Sequence, residues 1–199
     1  ELACKRGQLE CLQLLHQFGV PWDESTSVHA VPDQNFACLQ YLHENGCPWD
    51  ENTSINAAND GRIEPLRYSL ERGCPYKDYI VQIAARGSNL ECLRYLIEEQ
   101  MLYLDEAVFL TTLLSGDLSC LQYIIDQGCP YMNATFVDNV GRWEECDKFY
   151  RLDKPELVQC VEYAVERGWP ICEHFIYYVV TVNQLCKQWL ISEGHYTAV

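Results

Sequence analysis

The chain has 199 residues with 48% apolar content, which excludes wholesale disorder. Its formal charge of −15 argues against nucleic acid as the main partner, because phosphate binding rests on clustered Lys and Arg, and disfavours an anionic membrane surface. A basic protein partner is compatible with that charge; so is plain solubility.

Taken in chain order, one element recurs. It reads Gly19-Val20-Pro21-Trp22, Gly46-Cys47-Pro48-Trp49 and Gly73-Cys74-Pro75-Tyr76, each 27 residues after the last. A weakened copy, Gln100-Met101-Leu102-Tyr103, falls 27 further on, and Gly128-Cys129-Pro130-Tyr131 follows by 28. Gly168-Trp169-Pro170 comes 40 later and Gly194 closes the series after 26. Such a period is the signature of a solenoid, in which each repeat buries its apolar face only by stacking on its neighbours. The opening Glu1-Leu2-Ala3-Cys4-Lys5-Arg6-Gly7 already lies inside a repeat, so the chain reads as a piece of a longer protein.

Within the best-formed repeat, Asp50 precedes a short first helix, Thr53 to Asp60, whose Ala57 and Ala58 allow close approach of a neighbour. Gly61 ends it by turning left-handed, and a second helix from Ile63 ends at Gly73. The second helices align well, as in Leu9-Glu10-Cys11-Leu12-Gln13-Leu14-Leu15 and Leu118-Ser119-Cys120-Leu121-Gln122-Tyr123-Ile124. Their apolar positions exceed the single stripe of a surface helix, so each is expected to be covered on several sides. The spacing places second helices near 9–18, 36–45, 63–72, 90–99, 118–127, 157–167 and 184–193, in one repeat domain spanning 1–199.

Twelve cysteines require an explanation. Cys11, Cys38, Cys92, Cys120, Cys160 and Cys186 share one repeat position; Cys47, Cys74 and Cys129 share another. Equivalent residues of stacked helices lie about 8–10 Å apart, too far for disulfides or shared zinc. They are expected to be reduced, buried thiols, which points to the cytosol or nucleus.

The aromatics after the prolines, Trp22, Trp49, Tyr76, Tyr103 and Tyr131, would form a ladder along one edge. Such a ladder either seats successive repeats or presents a partner surface. Two breaks stand out. Pro32 should shorten the first helix of its repeat, and about 142–154 reads as an insertion carrying Trp143, Phe149 and Tyr150, either a tolerated bulge or a partner contact.

These residues resemble the ankyrin repeat: Thr53, Ala57-Ala58, Gly61, Leu66 and Gly73 fall where that family's pattern would place them. The run Cys38 to Glu51 is similar to the divergent ankyrin-like arrays of large DNA viruses and some protists. The ordinary ankyrin repeat has about 33 residues, and the shortfall here lies where that family carries β-hairpin fingers. The resemblance therefore implies an all-α, ankyrin-like helical solenoid of about seven helix pairs with fingers reduced or absent. It also makes the first-helix face the plausible groove.

No phosphate loop, dinucleotide fingerprint or paired-His metal helix is present, and the thiols look interchangeable, so no catalytic, metal or cofactor residue is assigned. The expected function is a protein-interaction scaffold, monomeric, with an unidentified protein partner. The alternatives are a regulatory or architectural segment of an enzyme whose catalytic domain lies elsewhere and, more remotely, a thiol redox or metal protein.

Overall fold

Aspartate opens these helices and glycine closes them. In the computed structural model, which describes residues 1–32, 35–131, 155–171, 176 and 183–195, the Asp23 carboxylate accepts the Thr26 N–H at 3.2 Å while the Thr26 hydroxyl receives the Asp23 N–H. Asp50, Asp105 and Asp117 accept the N–H groups of Asn52, Val108 and Cys120 at 3.0, 2.8 and 2.9 Å, and Asn183 accepts that of Cys186 at 2.9 Å. Each bond satisfies a donor that the first helical turn leaves without a partner.

Among the described residues the chain is all-helical, with twelve α-helices and no strand. It divides into two compact segments, Glu1–Leu102 and Tyr103–Val199. The first holds α1 (Leu2–Lys5), α2 (Leu9–Gln17), α3 (Glu24–Val28), α4 (Phe36–Glu44), α5 (Glu51–Asn59), α6 (Ile63–Glu71), α7 (Ile80–Arg86) and α8 (Leu90–Arg94), the last continued by a π-helical turn, Tyr95–Glu99. The second holds α9 (Glu106–Ser115), α10 (Leu118–Asp126), α11 (Glu156–Glu166) and α12 (Gln184–Ser192).

In the first segment α1 packs on α2, α3 on α4, α5 on α6 and α7 on α8. Between pairs, α2 touches α4, α4 touches α6 and α6 touches α8, while α3 touches α5 and α5 touches α7. Leu39, Leu42, Leu66, Ile80, Leu93 and Leu96 are wholly buried there, each worth about 1.5–3 kcal/mol of transfer free energy. In the second segment α9 packs on α10 and α11, α10 on α11 and α11 on α12, around Phe109, Leu113, Leu121 and Ile124.

Polar bonds join the first helix of a pair to the turn after its second helix at the same places. The Ser27 and Ser54 hydroxyls donate to the carbonyls of Pro48 and Pro75 at 2.9 and 2.8 Å. The Cys47, Cys74 and Cys129 thiols donate to the carbonyls of Asp23, Asp50 and Asp105 at 3.4, 3.3 and 3.4 Å. Cysteine thus recurs after the glycine because it fills a small apolar space and still satisfies a carbonyl at a helix entrance. Asn89 links neighbouring pairs instead: its amide donates to the Ala58 and Asn59 carbonyls at the end of α5, at 2.9 Å each.

Several expectations shift in detail. The first helix of the best-formed repeat begins at Glu51, two residues before Thr53, because Asp50 caps it there. Pro32 stands beyond a first helix of only five residues, Glu24–Val28, against nine in α5. At the end of α7 the left-handed residue is Ser88, at φ 57°, while Gly87 is right-handed. Gly87 is needed for space instead: a Cβ there would strike the Asn59 carbonyl and the Asn89 side chain.

The weakened copy near Gln100 also changes register. Second helices elsewhere end with the glycine N–H bonded three residues back and the next N–H five back, as in Gly46 to His43 and Cys47 to Leu42. After α8 the Gln100 N–H reaches Tyr95 and the Leu102 N–H reaches Leu96, six residues back. The residue that lengthens one interval from 27 to 28 is therefore absorbed inside the helix as a π turn, and Met101, at φ 55°, takes the place glycine holds elsewhere. Tyr103 then falls in the proline position and Leu104 in the aromatic one.

Candidate functional site

The residues proposed from sequence as a ladder sit in several different environments. Trp22 packs against His16, with ring centroids 4.1 Å apart, and against the edge of Tyr41, whose hydroxyl lies 2.9 Å from His16 Nδ1. Trp49 stacks on His43 at 3.9 Å and nearly parallel, with Tyr68 edge-on at 6.3 Å. Among the described residues the buried Tyr68 hydroxyl has no hydrogen-bond partner. Burial pushes the His43 imidazole below its ordinary pKa, with the Arg72 guanidinium adding to the effect.

Further along, the stack is lost. The position of His16 and His43 is Leu70 in the third repeat, and Tyr76 is 44% exposed. Tyr103, shifted into the proline position, is 92% exposed. Tyr131 packs on Phe109 at 5.5 Å, and its hydroxyl donates to the Arg167 carbonyl at 2.9 Å. Trp22, Trp49 and Tyr131 are thus tied into packing, and Tyr76 and Tyr103 are open. Trp143, Phe149 and Tyr150, with the segment 142–154, lie outside the described residues.

A groove opens where the first-helix series is interrupted. It has a volume of about 320 Å³ and is lined by Lys5 from the end of α1, by Val28, His29, Val31 and Pro32 at the end of α3, and by Asn56 and Asp60 at the end of α5. Val31, itself buried, and Val28 provide its apolar surface. Its charged side chains come from neighbouring helices. His29 Nε2 lies 3.6 Å from a Glu1 carboxylate oxygen. Burial lowers the His29 pKa first and the Lys5 ammonium second, with Glu1 opposing them. Pro32 signals this interruption in the sequence, but the meeting of Lys5 with Asp60 could not be read there.

The cysteines are poor nucleophiles. All ten among the described residues are free, and nine are buried. Burial raises the Cys74 thiol to about 11 and those of Cys120, Cys129, Cys160 and Cys186 to about 12, so they stay protonated at neutral pH. Cys11 departs from the expectation of burial and is exposed, because no described helix covers the outer side of α2. Among the described residues no group of three or more His, Cys, Asp or Glu side chains is placed to hold a metal ion. No described helix is long and apolar enough to cross a membrane. Neither the family models nor the curated proteins compared with this sequence match it.

Proposed function

We propose that the chain is a protein-interaction scaffold, an ankyrin-like helical solenoid of about seven helix pairs that holds a partner protein without altering it chemically. The groove at the ends of α1, α3 and α5 carries this reading. Most residues that recur every 27 positions are committed to caps and packing, Tyr76 and Tyr103 excepted, whereas Lys5, His29, Pro32 and Asp60 line an open concavity on the first-helix face. In a repeat protein the non-repeated, accessible residues are the ones free to specify a target.

The formal charge of −15 favours a partner presenting basic side chains over nucleic acid or an anionic membrane. Buried, protonated thiols weigh against a redox or metal role and fit a reducing compartment, the cytosol or nucleus.

The test is affinity capture with mass spectrometry, comparing the wild-type chain with Lys5→Glu/Asp60→Lys. Both side chains lie at helix ends, so helicity should be unchanged. Selective loss of the specifically bound proteins supports the groove. An unchanged set rules the groove out, and the absence of any specific partner rules out the scaffold.

A further inference from the structure

We propose that Asn45 is a self-modification site, at which the backbone nitrogen of Gly46 displaces the side-chain amide and leaves aspartate or isoaspartate in its place. Asn45 is not among the residues that line the groove, and the inference does not depend on the function assigned there. Asn45-Gly46 is the one Asn-Gly pair in the chain. Glycine has no side chain to block the attack of its own nitrogen on the preceding carboxamide, and its backbone turns readily through other conformations. At the same place in other repeats the residue before the glycine is Phe18, Arg72, Gln127, Arg167 or Glu193, none of which can close a five-membered ring.

The surroundings separate this pair from the other candidates. Asn45 and Gly46 are both exposed, and nothing lies within 4 Å of where a Gly46 Cβ would stand, so the turn has room to rotate. Asp60-Gly61, the one Asp-Gly pair, can close the same ring with loss of water. There, however, the Asn89 carboxamide presses on Gly61 and bonds across to Ala58 and Asn59. Asn52 and Asn56 lie inside α5, and the nitrogens that would attack them belong to the buried Thr53 and Ala57.

Two hydrogen bonds hold Asn45 in its unreacted form. Its Nδ2 donates to the Tyr41 carbonyl at 2.8 Å, and the Gly46 N–H donates to the His43 carbonyl at 3.1 Å. Both close the last turn of α4, and helix ends fray. When they open, the Gly46 nitrogen gives its proton to solvent base and attacks the Asn45 Cγ. The N–Cγ bond forms, the Cγ–Nδ2 bond breaks, and the amide nitrogen leaves as ammonia with a proton from water. Water then opens the cyclic imide at either carbonyl, giving aspartate or isoaspartate.

Either product puts a negative charge at the negative end of the α4 dipole, beside Glu44, and cannot donate to the Tyr41 carbonyl. Isoaspartate also lengthens the main chain by one carbon just before Gly46 and Cys47, whose N–H groups close the turn onto His43 and Leu42. That turn sets the Cys47 thiol on the Asp23 carbonyl and the Pro48 carbonyl against the Ser27 hydroxyl, so the modification loosens α3 from α4.

The test is peptide mapping by mass spectrometry on the whole chain held in mildly alkaline buffer. Conversion at Asn45 should run several-fold faster than at Asn52, Asn56, Asn59 or Asn89. The isoaspartate formed should accept a methyl group from S-adenosylmethionine when an isoaspartyl methyltransferase is added. Asn45→Gln should leave this position unmodified, and both Asn45→Asp and the aged wild-type chain should unfold at a lower temperature than the fresh one. Conversion at Asn45 no faster than at Asn52 or Asn56 overturns the proposal. So does a product that is aspartate alone, since opening of the imide gives both acids, and an Asn45→Asp chain as stable as wild type overturns the loosening drawn from it.

Discussion

Two kinds of helix end coexist in the first segment, and they differ in where the left-handed residue comes from. After α2, α4, α5 and α6 it is a glycine, Gly19, Gly46, Gly61 and Gly73, with φ between 68° and 80°. After α7 and the π turn it is Ser88 or Met101, at 57° and 55°. An L-residue there costs about 1–2 kcal/mol relative to its preferred regions. The glycine ends are relaxed and regular. The others hold their geometry through neighbours: Asn89 bonded across to Ala58 and Asn59, and Arg67 paired with Glu99 at 2.7 Å while lying 4.6 Å from the Tyr95 ring centroid. The lesson is that the repeat fixes where a helix must turn, not which residue turns it.

The largest contrast should come with alkali. The thiols of Cys74 and Cys129 directly follow glycine ends, and their folded pKa values, about 11 and about 12, lie above the ordinary 9.0. A folded-state pKa raised in this way contributes stability that is fully present below about pH 9 and is lost as pH rises through the folded value. With Cys120, Cys160 and Cys186 behaving alike, circular dichroism should show unfolding complete before about pH 12. Amide exchange should accelerate first at Cys74 and Cys129, and later at Leu102, where no thiol stands. Simultaneous acceleration at all three would remove the distinction.

Next in size is Gly61→Ala. Here a left-handed backbone coincides with a Cβ that would strike the Asn89 carboxamide. Adding the strain to the loss of two hydrogen bonds gives about 3 kcal/mol, measurable by urea unfolding. Gly73→Ala isolates the backbone contribution, since nothing lies within 4 Å of the added methyl, and should cost about 1 kcal/mol. Equal losses at the two sites would mean that Asn89 adds nothing.

The smallest effects run the other way. Ser88→Gly and Met101→Gly should each stabilise by about 0.5–1 kcal/mol, as strain relief exceeds the added freedom of the unfolded chain. A net loss at Met101 would show that its side chain contributes contacts outweighing the strain.

Helix positions were legible because their signals are local. Asp50 before a small-residue helix, Gly61 after it and Cys38 in the same place as Cys92 could be matched one repeat at a time. The shifted turn was not legible, since matching Gln100 to Gly46 preserves the 27-residue count while the backbone absorbs the extra residue earlier, between Tyr95 and Glu99. The candidate site was half legible. Pro32 marked the interruption, but Lys5, His29 and Asp60 converge there only because three successive first helices end side by side.

By itself the sequence determined the helical period, the caps and the apolar positions, because backbone hydrogen bonding and side-chain size act over a few residues. Tertiary structure alone decided which repeated residues are covered. Trp22 and Trp49 are held by a histidine and a tyrosine from adjoining second helices, whereas Tyr76 lacks that histidine and stands open. Cys11 and Leu15 have the same chemistry as their buried counterparts, yet remain exposed. Burial depends on what another helix brings against a side chain, and that is set by packing between helices rather than by the residue's own identity.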